Sequence, residues 1–166
     1  VTVPLAEVID RDRYTLALVA LVANDSAWGG SSVFRHHFDL GTNEWRLISA
    51  LGNYPGATAG KLCEVLGMNK SIASKSVNVL LRRGLVAQVN GARGSRHLYL
   101  TNEGARTHDR MIRIALRRQE ILHSDLSEEE VSELHRLLLK LLEAGPRLHE
   151  YERALCDLPR GHLDEG

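Results

Sequence analysis

The sequence predicts a mainly α-helical chain carrying one small β-hairpin, and three observations lead to that fold class. Apolar residues make up 43% of the 166 positions while aromatic ones make up only 5%. A core of Leu, Val, Ile and Ala suits helices better than a sandwich or barrel, where β-branched and aromatic side chains dominate. Second, apolar positions recur at three- and four-residue steps along most of the chain. Third, that period gives way once, between Leu85 and Leu100, to alternation around an Asn90-Gly91 turn signal.

Taken in order, the first helical pattern spans Tyr14 to His37, with Leu16, Val19, Ala20 and Ala23 on one face. Gly29-Gly30 is expected to interrupt it, by a kink or to admit another backbone, and Leu40-Gly41 to stop it. Thr42 reads as the N-cap of a short helix, with Glu44 placing negative charge in its first turn and Trp45, Ile48 and Leu51 on one face. Asn53-Tyr54-Pro55-Gly56 is a turn. Thr58 caps the next helix, with Leu62, Val65 and Leu66 pointing inward and Gly67 ending it. Asn69 caps another, from Lys70 to Arg83, with Ala73, Val77, Leu80 and Leu81 inward and Gly84 at its end.

Leu85, Ala87 and Val89 then alternate as in a strand, and Leu98 and Leu100 share a face of a second strand. The turn between them runs through Ala92-Arg93-Gly94-Ser95. A long helix starts at Thr101 or Asn102 and runs to Ile121-Leu122. Ser127 and Glu130 form a capping box for a last helix bearing Val131, Leu134, Leu137, Leu138, Leu141 and Leu142, which Gly145-Pro146 is expected to end. That apolar stripe is wide for a contact between two helices.

The formal net charge is zero, but its placement is uneven. Between Thr58 and Thr101 stand Lys61, Lys70, Lys75, Arg82, Arg83, Arg93 and Arg96 against the single acid Glu64, a charge of +6, so the remainder carries −6. A cationic block inside an anionic body implies a polyanionic partner for the block. Within it, helix, tight turn, helix and hairpin follow one another as a winged helix-turn-helix. Leu66-Gly67-Met68-Asn69 is the turn. The second helix offers Lys70, Ser71, Ser74, Lys75 and Asn78 without one acid, which fits a major groove of double-stranded DNA: lysines for phosphate or guanine, Asn78 for adenine, serines for close approach. Arg93 and Arg96 at the hairpin tip suit the adjacent minor groove, where potential is strong and reading is coarse.

Order and spacing of these pieces resemble the multiple-antibiotic-resistance regulator (MarR) family over about residues 14–144. The matching runs are Leu40-Gly41-Thr42-Asn43-Glu44-Trp45-Arg46, Leu62-Cys63-Glu64 and Leu66-Gly67-Met68-Asn69-Lys70-Ser71. They continue with Ser74-Lys75, Leu80-Leu81-Arg82-Arg83-Gly84-Leu85-Val86, Leu98-Tyr99-Leu100-Thr101-Asn102-Glu103-Gly104 and Leu126-Ser127-Glu128-Glu129-Glu130. The resemblance implies a triangular homodimer with interleaved terminal helices, a near-palindromic operator and repression relieved by a small anionic or aromatic effector, such as an aromatic acid or its coenzyme A thioester. It divides the chain into an N-terminal dimerisation helix (1–40), a winged helix-turn-helix (41–101), C-terminal dimerisation helices (102–158) and a flexible tail (159–166). This sequence departs from the family where an Asp and an Arg usually brace the wing, since Ala92 and Gly94 stand there. Arg93 or Arg96 is left to substitute. Lys75 replaces the family's usual arginine and lacks its planar fork.

An effector pocket between the dimer helices and the DNA-binding unit would draw on Trp28, Arg35, His36 and His37, with Trp45, Arg46, Arg113 and Arg117 beyond them. Cationic side chains there suit a carboxylate or phosphate. Trp45 is also read as core, and His36 and His37 as ordinary helix-end cations. Of eight histidines, only His123 has an acid three residues before it (Glu120), so no cofactor or metal is expected, though a metal- or redox-sensing regulator of this fold, or a winged helix that binds protein, stays open. Cys63 and Cys156 have no metal-type spacing and fit a reducing cytoplasm. Phosphate loop, nucleophile elbow and paired carboxylates are all missing, which argues against an enzyme. No apolar run nears the roughly 18 residues of a membrane span, and Leu16–Ala23 lacks the basic lead of a signal peptide.

Overall fold

The computed structural model describes residues 2–158, with the Arg93 side chain excluded. The expected flexible tail lies outside the described residues. In chain order the elements are a 3-10 turn at Arg11–Arg13, α1 (Thr15–Phe38), α2 (Thr42–Asn53), α3 (Ala59–Leu66), α4 (Lys70–Arg82), β1 (Val86–Asn90), a 3-10 turn at Ala92–Gly94, β2 (Arg96–Leu100), α5 (Asn102–Leu122) and α6 (Glu128–Asp157). The chain divides into two compact units, Val1–Arg117 and Arg118–Gly166. No helix of the described residues is long and apolar enough to cross a membrane.

The core of the first unit gathers Leu40, Leu47, Ile48, Leu62, Leu80, Leu98 and Met111, all fully buried, from α2, α3, α4, β2, α5 and the α1–α2 turn. Each contributes about 1.5–3 kcal/mol by leaving water. The local chemistry of most boundaries matches the sequence. Thr58 Oγ1 accepts from Lys61 N (3.2 Å) and Asn69 Oδ1 from Ser71 N (2.8 Å), capping α3 and α4. Gly67 takes the left-handed conformation (φ 57°) at the end of α3, which lets the chain turn within three residues into α4. Gly104 marks a close approach: a Cβ there would stand 1.9 Å from the Leu85 carbonyl oxygen, so α5 starts hard against the chain entering β1.

Several boundaries differ from expectation, each for a stated reason. α1 runs unbroken through Gly29-Gly30, and Gly30 is buried. It stops at Asp39, in the left-handed conformation (φ 52°) with its N–H on Arg35 O, rather than at Leu40-Gly41. Gly41, not Thr42, is the N-cap of α2, its N–H donating to Glu44 Oε2 at 2.8 Å. Thr42 instead ties α2 to α1, donating from Oγ1 to Ala27 O (3.0 Å) and from its backbone N to Ser31 Oγ (3.2 Å). Val65 lies 39% exposed, because the inward face of α3 is taken by Leu62 with Cys63 and Leu66 beside it.

The hairpin is antiparallel, with Val86 opposite Leu100, Gln88 opposite Leu98 and Asn90 opposite Arg96. Side chains alternate between faces, so these six share one face, and Ala87, Val89, His97 and Tyr99 take the other. The apolar alternation of Leu85, Ala87 and Val89 is therefore out of phase with burial. Val86 is buried, Val89 is 53% exposed, and Leu85 is buried from the loop that precedes the strand.

In the second unit, Ser127 and Glu130 complete the capping box (2.8 and 3.2 Å) that opens α6. Hydrogen bonds from its own backbone N–H and from Ser127 hold the exposed Glu129 carboxyl below its usual pKa. Gly145-Pro146 does not end this helix, which continues to Asp157. Proline removes one hydrogen bond and crowds the carbonyl four residues back, at Leu142; that residue is 73% exposed, so water can serve the freed oxygen.

Candidate nucleic-acid interface

Helix α4 has two faces of different chemistry. Ala73, Ser76, Val77 and Leu80 are buried, while Lys70, Ser71, Ser74, Lys75 and Asn78 are exposed. What holds the helix in register is partly polar: Ser76 Oγ donates to Glu44 Oε1, so one carboxylate caps α2 and fastens α4 to it. Arg46 extends the same bracing from α2, its guanidinium donating to the Leu66 carbonyl at the end of α3. Arg83 closes the far end, donating to the Asp39 carbonyl (2.6 Å) and pairing with its carboxylate (3.2 Å).

One side of α4 and the hairpin line a common cleft of about 470 Å³, to which Cys63, Ala73, Val77, Leu81 and Leu98 give an apolar lining. Lys70, Ser74 and Asn78 line it from α4, and Arg96 and Gln88 from the inward face of the hairpin. Thr58, Ala59 and Gly60 contribute the N-terminal edge of α3. Lys70, Ser71, Ser74, Lys75, Asn78 and Arg96 all lie exposed, and Lys70, Ser74, Asn78 and Arg96 meet in the cleft; the Arg93 side chain lies outside the described residues. Among the described residues, Lys70, Lys75, Arg82 and Arg96 have no carboxylate partner, whereas the block's one acid, Glu64, is paired with Lys61 (3.1 Å). Lys70 and Arg96 at the cleft, with Lys75 and Arg82 also on α4, therefore leave positive charge without a carboxylate partner, as a phosphate-tracking surface requires.

The reading of the sequence missed Gln88 and the N-terminal edge of α3. Gln88 is the polar member of the strand alternation, and placing Ala87 and Val89 inward turned it away from the cleft. The signal that locates it is the pairing with Leu98, which only the hairpin register reveals.

The expected effector residues are placed less uniformly. Trp28 is 78% exposed on α1. Arg35, His36 and His37 are exposed in its last turn, where cations oppose the helix dipole, and the two imidazoles meet edge to face at 4.7 Å. Arg113 and Arg117 are exposed on α5. Arg46 is committed to Leu66, as above. Trp45 is half-buried between Phe34 and His108, 5.8 Å from each ring, and packs on the core. His123 sits 5.7 Å from His135, and no three His, Cys, Asp or Glu of the described residues are grouped as a metal ion would need.

Residues 38–97, which include the whole helix-turn-helix and most of the hairpin, match the profile of the MarR family. No curated protein matches the chain. Among solved structures, a MarR/EmrR family transcriptional regulator from Acinetobacter sp. ADP1 superposes with a TM-score of 0.79 at 25% identity, covering 84% of this chain and 99% of that one. The PcaV transcriptional regulator from Streptomyces coelicolor, solved with its natural ligand, gives 0.72 at 21% identity over 84% and 99% of the two chains. MepR from S. aureus, solved as a DNA complex, gives 0.71 at 19% identity over 81% and 99%. The helix-turn-helix, the hairpin and the flanking helices thus have the winged-helix fold of MarR-family transcriptional regulators, and residues 38–97 carry that family's sequence pattern.

Proposed function

We propose that two copies of this chain pair through their terminal helices, within 1–40 and 102–158, and grip a near-palindromic DNA operator as a repressor that a small anionic or aromatic effector releases. The observation that carries the DNA reading is the cleft in which Lys70, Ser74 and Asn78 of α4 face Gln88 and Arg96 of the hairpin without a carboxylate among them. An α-helix fills a major groove, and its N-terminal half reaches base edges. Arg96 follows the backbone or enters the minor groove alongside. Two such heads related by a twofold axis read half-sites about one helical turn, roughly 34 Å, apart.

Pairing is supported by apolar surface that the described chain leaves open: Leu16, Val19 and Val22 on α1, and Leu134, Leu137, Leu138 and Leu141 on α6. Exposed stripes of that size mark association surfaces. Effector release rests on Trp28, Arg35, His36 and His37 of α1 with Arg113 and Arg117 of α5; Arg46 joins only by giving up Leu66. PcaV, solved with its natural ligand, supports a ligand-responsive reading. The effector acts by binding one spacing of the reading heads better than the other, typically by about 1–3 kcal/mol.

The test is duplex binding by fluorescence anisotropy across a salt series. Affinity falls steeply with salt, and Lys70→Ala with Lys75→Ala lowers the slope by about 1 for each phosphate no longer neutralised, while sedimentation still shows a dimer. Binding that survives both substitutions with its slope intact removes α4 as the reading helix. A melting screen with aromatic acids and their coenzyme A thioesters tests the effector, since a ligand of the folded form raises the midpoint.

A further inference from the structure

Nearly all the apolar side chains of α4 serve the core. Ala73, Val77 and Leu80 are buried, and Val79 and Leu81 pack half-buried against the same cluster. Ile72 is the exception: it is 45% exposed and takes no part in that cluster. Local structure gives no reason for it. A β-branched side chain is stiff against the preceding turn, and isoleucine forms helix less readily than Ala, Lys or Arg. A single exposed aliphatic residue on an open surface needs no explanation. Ile72, however, stands on the helix whose outer face is otherwise polar and cationic, with Lys70, Ser71, Ser74, Lys75 and Asn78 exposed around it.

Helical geometry locates it. At about 100° per residue, the exposed arc of α4 runs from Ser74 through Ser71 and Lys75 to Ile72. Ser74 lines the cleft shared with the hairpin and Ile72 does not, so Ile72 borders the outer face on the flank away from the wing. It is also the third residue of the helix, inside the first turn, where side chains of a reading helix meet base edges.

Isoleucine neither donates nor accepts a hydrogen bond. Pressed against a phosphate or a base amino group, it would remove water and offer no partner in exchange. Base edges in the major groove present donors, acceptors and one methyl group, that of thymine at C5. Packing on that methyl takes apolar surface of both partners out of water. A cytosine in the same place has no methyl and turns an amino donor toward a side chain that cannot accept it.

We propose that Ile72 is a specificity-determining residue, which selects thymine by packing on its 5-methyl group in the major groove, on the flank of α4 opposite the wing. Lys75, the exposed cation beside it on the arc, holds the duplex electrostatically and brings Ile72 to its base. The wing-side flank reads by hydrogen bonds, through Ser74 and Asn78, and the opposite flank reads by shape.

This inference rests on the reading of α4 as the helix in the groove, and the experiment separates the two. Duplexes with about 20 randomised base pairs, enough for two half-sites one turn apart, are selected on the intact chain. The enriched duplex is remade with uracil for thymine, one position at a time, which removes only the methyl. Anisotropy at fixed ionic strength then compares the duplexes on the wild type and on Ile72→Ala, whose side chain ends short of the base. Uracil at the contacted position weakens wild-type binding by about fourfold for each methyl left uncovered. Ile72→Ala binds the thymine and uracil forms alike there, and keeps the wild-type salt slope because no phosphate contact is lost.

Uracil tolerated at every position, a pool with no recurrent thymine, or an Ile72→Ala chain that still discriminates overturns the role of Ile72 and leaves duplex binding standing. A wild type that retains no duplex from the pool overturns both. The uracil series on the wild type needs no variant. Ile72→Ala keeps the fold in any case, since the side chain lies outside the core and alanine favours helix.

Discussion

Helices α4 and α6 are both amphipathic, but they meet their surroundings differently. α4 has 13 residues and buries Ala73, Ser76, Val77 and Leu80 against the core of its own unit. α6 has 30 residues and buries none, although Leu134, Leu137, Leu138 and Leu141 lie along it at helical spacing. Periodicity shows that a helix has an apolar stripe; it does not show whether the cover comes from the same chain. In α4 the cover is intramolecular, which frees the opposite face for a ligand. In α6 the whole stripe remains available to a second copy, in keeping with the pairing proposed above.

The comparison can be broken at four points. The largest effect belongs to the covered side: Leu62→Ala, beneath α4 in the core, costs about 2–5 kcal/mol in urea or thermal unfolding, since the cavity has no solvent to fill it. Next, Leu138→Glu on α6 weakens self-association by at least the transfer value of one leucine, about 1.5–3 kcal/mol, read by sedimentation. It leaves the unfolding of a monomeric sample nearly unchanged. Should Leu138→Glu unfold the monomer instead, the stripe is covered within the chain and the contrast fails. A smaller loss, about 1–2 kcal/mol, is expected for Ser76→Ala, which deprives Glu44 of one donor while Gly41 N and water keep the carboxylate satisfied; a urea titration measures it.

The smallest effect lies on the surface of α6. Arg136 donates twice to Glu133 (2.7 and 2.6 Å), and that hydrogen bonding holds the Glu133 carboxyl below its usual pKa. A depressed carboxyl contributes stability above its unfolded value and loses it as pH falls through the folded one. Arg136→Ala returns Glu133 toward the ordinary carboxylate range in an NMR titration, with no resolvable change in melting at neutral pH, because both groups are in water.

Most of the exposed polar face of the candidate interface was legible in the sequence. Lys70, Ser71, Ser74, Lys75 and Asn78 announce themselves by helical spacing and the absence of acids, and Thr58, Asn69 and Ser127 by cap chemistry that acts within three residues. The places of Gln88 in the cleft and of His97 between the hairpin and the α2–α3 turn were not legible. Their positions depend on hairpin register and on Gly56, 41 residues from His97. The double duty of Glu44 was hidden for the same reason, since Ser76 lies 32 residues away.

The sequence by itself determined the presence of the helices, the caps at Thr58, Asn69 and Ser127 and the cationic block, because propensity, capping and charge are settled by neighbours along the chain. Only the tertiary structure decided that α1 passes through Gly29-Gly30, that α6 continues past Pro146, that Val86 rather than Val89 turns inward, and that one imidazole ties the wing to the α2–α3 turn. Those outcomes depend on which groups distant in sequence are brought together, and on whether water or protein satisfies the backbone at each step.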